Sequence, residues 1–164
     1  MRGVYTVTGE HSNISASENV LIFYNNSAMT DYPVTAELLG ASITNSNTET
    51  NEQLVGGMFR VTGIGAGGLS GAAYITPEKH EYADASPVCQ VSTVSALTHT
   101  DQDIELSSVA THLAGFSSLA GYYYDPIPET RIHVRPDQMF AMRISTATFS
   151  AFAPVVSITW REIG

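Results

Sequence analysis

Between residues 129 and 164 the sequence alternates apolar and polar side chains three times, and a period of two leaves little choice of local structure. In residues 130–135, Ile132 and Val134 alternate with Arg131, His133 and Arg135. That pattern fits a strand with one face on a core and the other in water. Pro136-Asp137 then supplies turn chemistry, proline presetting φ and the aspartate bonding to nearby backbone. Phe140, Met142 and Ile144 share one face of a second strand, with Met139, Ala141 and Arg143 opposite. Val156, Ile158 and Trp160 line one face of a third, with Ser157, Thr159 and Arg161 behind. With turn signals between them and no helical period, the three strands are expected to form one antiparallel β module.

The same reading extends upstream. Strands are expected over 3–8, 18–24, 34–44, 54–63, 88–97 and 121–126. The run Val20-Leu21-Ile22-Phe23-Tyr24 is continuously apolar and short, which predicts a strand covered on both faces or a central strand of a sandwich. Glu37-Leu38-Leu39 fits a helix in isolation, but Gly40 and the Thr/Ile content around it favour a strand. Residues 9–16, 45–53 and 76–87 are polar and read as loops. A helix competes only over 101–114, where Val109, Leu113, Phe116 and Leu119 recur at helical spacing. The expected fold is therefore all-β: an antiparallel sandwich of jelly-roll type with eight to nine strands and at most one short helix. At 164 residues the chain suits one domain, 1–164, with one core.

Composition narrows the function classes. Charged residues make up 14 %, against a usual figure of about 25 %, and Ser and Thr, 17 of each, fill the gap. A neutral, hydroxyl-rich surface suits a protein largely covered by partner chains. The formal net charge of −9 argues against nucleic acid as a partner. Residues 1–128 carry 13 acids against 3 bases, whereas residues 129–164 carry 4 arginines against 3 acids. No apolar h-region opens the chain and no run of about eighteen apolar residues occurs, so neither a signal peptide nor a membrane span is expected. The single cysteine, Cys89, leaves no intrachain disulfide and reads as a small buried hydrophobe. Two glycosylation sequons, at Asn13 and Asn25, are expected by chance in a chain so rich in Asn and Ser.

Motifs that carry chemistry are weak here. Gly63-Ile64-Gly65-Ala66-Gly67-Gly68 formally matches G-x-G-x-x-G after a strand, but a phosphate site needs a helix to open next. Gly71 and Pro77 oppose one, so a loop is the better reading and no nucleotide cofactor is expected. His11, His80, His99, His112 and His133 show no metal-ligand spacing. Asp101-Gln102-Asp103-Ile104-Glu105 lacks the glycine and distal glutamate of a calcium loop. No serine lies in G-x-S-x-G context. No catalytic, cofactor-binding or metal residue is therefore assigned. Tyr122-Tyr123-Tyr124 is the more informative run: on a strand, Tyr123 faces away from its neighbours, and tyrosine suits contact surfaces. Tyr122, Tyr123, Tyr124, Arg131 and Arg135 form the expected interface set, weighed against tyrosine rings packed at the edge of the core.

The opening VYTVTGE, the run ISASENVLIFYNN, the segment Pro126-Ile127-Pro128-Glu129-Thr130-Arg131-Ile132-His133-Val134-Arg135-Pro136 and the closing Trp160-Arg161-Glu162-Ile163-Gly164 together resemble small head proteins of tailed bacteriophages, of the cyanophage and podovirus type. Many members have glycine where this chain has Asp137 after Pro136. The resemblance implies a jelly-roll β-sandwich that decorates or cements the capsid, without catalysis or cofactor. It further implies a homotrimer bridging major capsid protein subunits on the virion surface, made in the host cytoplasm, with no nucleic-acid or membrane partner. A carbohydrate-binding β-sandwich of a phage tail or fibre is the alternative, since aromatic platforms and Asn-rich loops such as 45–51 serve it equally well. A jelly-roll enzyme comes third.

Overall fold

A computed structural model of the chain describes residues 2–10, 18–29, 31–45, 54–64, 74–93, 104–106, 114–118, 121–144 and 153–164. Twelve strands and no α-helix occur among them. In chain order these are β1 (Gly3–Glu10), β2 (Glu18–Tyr24), β3 (Thr35–Asn45), β4 (Leu54–Ile64), β5 (Glu78–Lys79) and β6 (Gln90–Thr93). They continue with β7 (Ile104–Leu106), β8 (Ala114–Ser118), β9 (Tyr122–Tyr124), β10 (His133–Val134), β11 (Met139–Ile144) and β12 (Pro154–Ile163).

All pairings are antiparallel and build two sheets. The first runs β10-β3-β12-β1-β5, with β9 beside β10 on the outer edge of β3. The second runs β6-β2-β11-β4-β7, with β8 also on β4. Stripped of the short additions β5, β6 and β7, the orders become β1-β12-β3-β9/β10 and β2-β11-β4-β8. Chain order alternates between the sheets from β1 to β6 and again from β10 to β12, whereas β6, β7 and β8 all lie in the second sheet and β9 and β10 in the first. The antiparallel sandwich expected from the alternating runs is the fold of the described chain.

One detail of the expected architecture is corrected. The three C-terminal strands do not pair with one another: β10 lies on β3, β11 between β2 and β4, and β12 between β3 and β1. Alternation shows which side chains face inward but carries no information about the partner strand, and the consecutive strands β10, β11 and β12 fall in opposite sheets. The helical reading of 101–114 also fails where residues are described, because 104–106 and Ala114–Ser118 pair as strands with β4. Tertiary pairing overrides the helical spacing there. Val109, Leu113 and Leu119 lie outside the described residues, as do 65–73 of the glycine-rich segment and its neighbour.

The inward faces follow the alternation. Val156, Ile158 and Trp160 of β12 are completely buried, as are Phe140, Met142 and Ile144 of β11 to within 1 %. Trp160 meets Phe23 edge-on across the sheets at 5.2 Å and Tyr5 at 5.6 Å, while Phe23 stacks on Phe140 at 5.2 Å. These aromatic rings join both layers into one core. A bulge in β3 explains why residues 37–40 looked helical. Thr159 pairs with Gly40 but Trp160 with Leu38, so Leu39 is the extra residue. Inward positions therefore step from Ala36 and Leu38 to Ala41 and Ile43, a break in the period of two.

The sheets differ on their outer faces. Across the second sheet, Ser92, Ile22, Ala141 and Phe59 form a row of register neighbours, and all four are buried. The expectation that β2 is covered on both faces holds. The outer face of the first sheet instead carries partly exposed hydroxyls: Thr6 bonds Thr159 at 2.8 Å and His80 Nε2 at 2.7 Å, and Thr8 donates to Ser157 at 3.0 Å.

The turn after β10 settles the role of Asp137. Gln138 N–H donates to the Arg135 carbonyl at 3.1 Å, with Pro136 next and Asp137 at φ 64°. Proline followed by a positive φ is the pattern of a type II turn, which favours glycine at that position. Asp137 tolerates it because its carboxylate accepts from Tyr24 Oη at 3.0 Å and its N–H donates to the Asn25 carbonyl at 2.8 Å. Asp137→Gly is expected to fold with stability close to the parent. Asp137→Val, which cannot adopt this φ cheaply, should lose about 1–2 kcal/mol. Urea unfolding of the pair reads the difference, and equal losses would contradict a turn that is strained by side chains.

Candidate interaction face

The first sheet ends on one side in β9 and β10, and that edge gathers all five residues of the expected interface set. β9 pairs with Ala41–Ile43 of β3 and β10 with Ala36 and Glu37, so the two short strands lie end to end along one neighbour. Gly121 makes the close approach possible: its φ is 127°, and a Cβ there would stand 2.6 Å from the Ile43 carbonyl oxygen. Tyr122 and Tyr124 turn inward and pack on the core. Tyr124 Oη also donates to the Thr130 carbonyl at 3.1 Å, tying β9 to the 3-10 turn Pro128–Thr130. Tyr123 faces out and is 73 % exposed. The alternation within β9 thus separates one contact residue from two packing residues.

Beside Tyr123 the outer face dips into a shallow depression of about 390 Å³. Ser42, Tyr123, Asp125, Ser157 and Thr159 supply its polar lining. Aromatic area next to hydroxyls and a carboxylate is chemistry for contact and hydrogen bonding. No cluster of three or more metal-ligating side chains is present among the described residues.

Toward β10 the edge becomes ionic. Glu37 is 4 % exposed and projects from the outer side of β3. Arg131 Nη1 donates to its Oε1 at 3.2 Å, Arg161 Nε bonds its Oε2, and His133 Nε2 stands 3.8 Å away. Burial by itself raises the carboxyl pKa, but the hydrogen bonds and charges of Arg161 and Arg131 outweigh it and hold Glu37 below the usual carboxylate range. A depressed folded pKa contributes stability above the unfolded value, about 4.3, and loses it as pH falls through the folded value. Stability measured by urea midpoint should therefore fall below about pH 4 in the parent and fall less in Glu37→Gln. Parallel acid limbs in the two proteins would contradict this.

Beyond Glu37 lies a larger open groove of about 770 Å³ between the two sheets. It is lined by Thr35, Arg60, Arg131, His133, Arg135 and Gln138, none of them acidic. Arg131 lies partly buried on Glu37, whereas Arg135 is exposed at the turn. The two arginines of the expected set thus differ in role: Arg131 holds the edge together and Arg135 presents charge.

A second buried acid supports the opposite edge. Glu162 is fully buried, accepts from Val88 N–H at 2.8 Å and Cys89 N–H at 2.9 Å, and has Arg2 Nε at 3.4 Å. Its position two residues after Trp160 continues the inward set, the signal by which the sequence could have revealed it. Burial first, then the neighbouring Glu162 carboxylate, push the Cys89 thiol up, so this cysteine stays protonated and unreactive. That agrees with a small buried hydrophobe. Asn25 is also fully buried, its amide donating to Val34 O and Val134 O. The sequon at this position is closed to modification in the folded chain. Asn13 lies outside the described residues, as do His11, His99 and His112 and the aspartates of 101–103.

No family model, no curated protein and no solved structure matches the chain.

Proposed function

We propose that this protein is a non-enzymatic virion structural protein that decorates or cements the capsid of a tailed bacteriophage by bridging neighbouring major capsid subunits. The observation that carries the proposal is the asymmetry of the sandwich. The second sheet is buried on its outer face at Ile22, Phe59, Ser92 and Ala141, whereas the first offers a broad face of small hydroxyls. Because Thr6, Thr159, Thr8 and Ser157 already bond one another, covering them leaves few unsatisfied groups. Such a face contributes area and hydrogen bonding when several copies straddle a lattice, each adding contacts that alone are weak.

The test is addition of the protein to capsids that lack it. Saturation of defined lattice sites, with a rise in the temperature or osmotic shock the particle survives, is the expected result. Apolar and hydroxyl contacts would dominate that binding, so it should change little between low and moderate salt. Absence of capsid binding overturns the proposal.

A glycan-binding role is the second reading, favoured by Tyr123 standing over the depression lined by Ser42, Asp125, Ser157 and Thr159. Retention of sugars on a glycan array by a protein that ignores capsids would select it, and Tyr123→Ala should then abolish the retention.

A further inference from the structure

We infer that copies of this chain join head to tail, the Glu78–Asp84 turn of one seated in the arginine groove of the next. The inference starts from the two opposite edges of the first sheet. On one, Arg60 and Arg135 are exposed in the groove, and neither makes an ion pair with a described residue. Arg131 and Arg161 leave one further positive charge after neutralising Glu37. In a chain with seven Lys and Arg residues and a net charge of −9, this is a marked local excess of cation.

On the other edge, β5 and the turn after it carry the complement. Tyr82 is fully exposed, and Glu78 and Glu81 are exposed beside it. The turn is rigidly placed: His80 N–H donates to Val4 O at 3.0 Å, Asp84 N–H to Glu81 O at 3.0 Å, and Val4 N–H to Asp84 Oδ2 at 3.1 Å. Lys79, the one cation here, folds back onto the Asp84 carbonyl at 2.7 Å. The outward-facing groups are therefore two carboxylates and an aromatic ring. A tyrosine flanked by carboxylates complements an arginine-lined groove, since guanidinium groups take both carboxylates and aromatic faces.

The two surfaces cannot meet within one chain. They are separated by four strand spacings of about 4.8 Å, roughly 19 Å across the sheet. A contact between unlike surfaces of identical chains is heterologous, and it closes into a ring when the rotation permits. This names the contact through which a homo-oligomer would form, and rests on the proposed function only for the use of such a ring on a capsid.

The experiment uses the isolated protein and sedimentation, so failure of capsid binding and failure of self-assembly are read separately. The parent should associate at about 0.05 M salt and dissociate progressively toward about 0.5 M. Arg60→Glu with Arg135→Glu, and separately Glu78→Lys with Glu81→Lys, should each weaken self-association about tenfold or more. Circular dichroism should be unchanged, since all four side chains are exposed. Mixing the two variants in equal amounts should restore a complex, because one retains the turn and the other the groove. Tyr82→Ala, which changes no charge, should weaken association as well. A parent that is monomeric at every salt concentration, variants that assemble like the parent, or a mixture that stays dissociated would each overturn the inference. A monomeric parent whose groove variant loses capsid binding would assign the groove to the capsid protein instead.

Discussion

The Asn25→Ala variant is expected to lose about 2–5 kcal/mol of folding stability, although it removes only a small polar side chain. Asn25 follows β2 and joins three separate segments of chain. Its amide nitrogen donates to Val34 O at 2.8 Å and Val134 O at 2.7 Å, and its Oδ1 accepts from Ser27 N at 3.1 Å. Its own backbone donates to Gln138 O and accepts from Asp137 N. Ser27 Oγ gives Val34 O a second donor at 3.1 Å, so that carbonyl keeps a partner in the variant. Val134 O and Ser27 N each lose the bond that Asn25 supplies, and three lost side-chain bonds at about 0.5–1.5 kcal/mol each, with the small cavity left behind, account for the loss. Asn25→Asp should be worse at neutral pH, because a carboxylate has no proton to give either carbonyl. Its folded pKa would be raised, so part of the lost stability should return as pH falls through that value. Urea midpoints across pH report both effects, and an Asn25→Asp variant with no recovery at low pH would contradict the donor role.

Trp160→Ala should cost about 3–5 kcal/mol, in the range of other buried aromatic truncations. Trp160 is fully buried in β12 and touches aromatic rings of both sheets, Tyr5 in its own and Phe23 in the other. Truncation therefore opens a cavity at the contact that holds the layers together. Trp160→Phe should cost distinctly less, because it keeps an aromatic ring and removes an indole N–H that has no hydrogen-bond partner among the described residues. As the chain's sole tryptophan, Trp160 reports unfolding of the parent by fluorescence, while circular dichroism must serve for the variants. Equal losses for Ala and Phe would point away from volume as the cause.

The sequence revealed orientation far better than connection. β2 and β11 occupy the residues their apolar patterns predict, and the inward residues of β12 are those of its alternation. Tyr123 faces outward and its neighbours inward for the same reason. Hidden from local pattern were the pairings, which depend on residues far apart. Glu37 meets Arg131 and Arg161 at separations of 94 and 124 residues, and Glu162 meets Val88 and Cys89 at 74 and 73. Nothing near Glu37 marks it as an ion-pair centre except a lone charge among Ala36, Leu38 and Leu39. β5, two residues within a polar run that reads as a loop, is too short to show a period at all. The Asn25 site was legible only as a chance sequon, because its partners arrive from Val34 and Val134.

The place of β11 and β12 in the chain has a consequence for synthesis. Each is the middle strand of its sheet, flanked on both sides by strands made earlier. Until β11 and β12 are made, β1 and β3 have no bridge between them, and neither do β2 and β4. Those four strands must therefore wait with unpaired edges until β11 and β12 emerge, when both layers can close. Folding of this kind is dominated by long-range pairing, and it is correspondingly slow and all-or-none. Chains halted before Ala153 would present open β edges, the substrates that holdase chaperones recognise and that aggregation consumes.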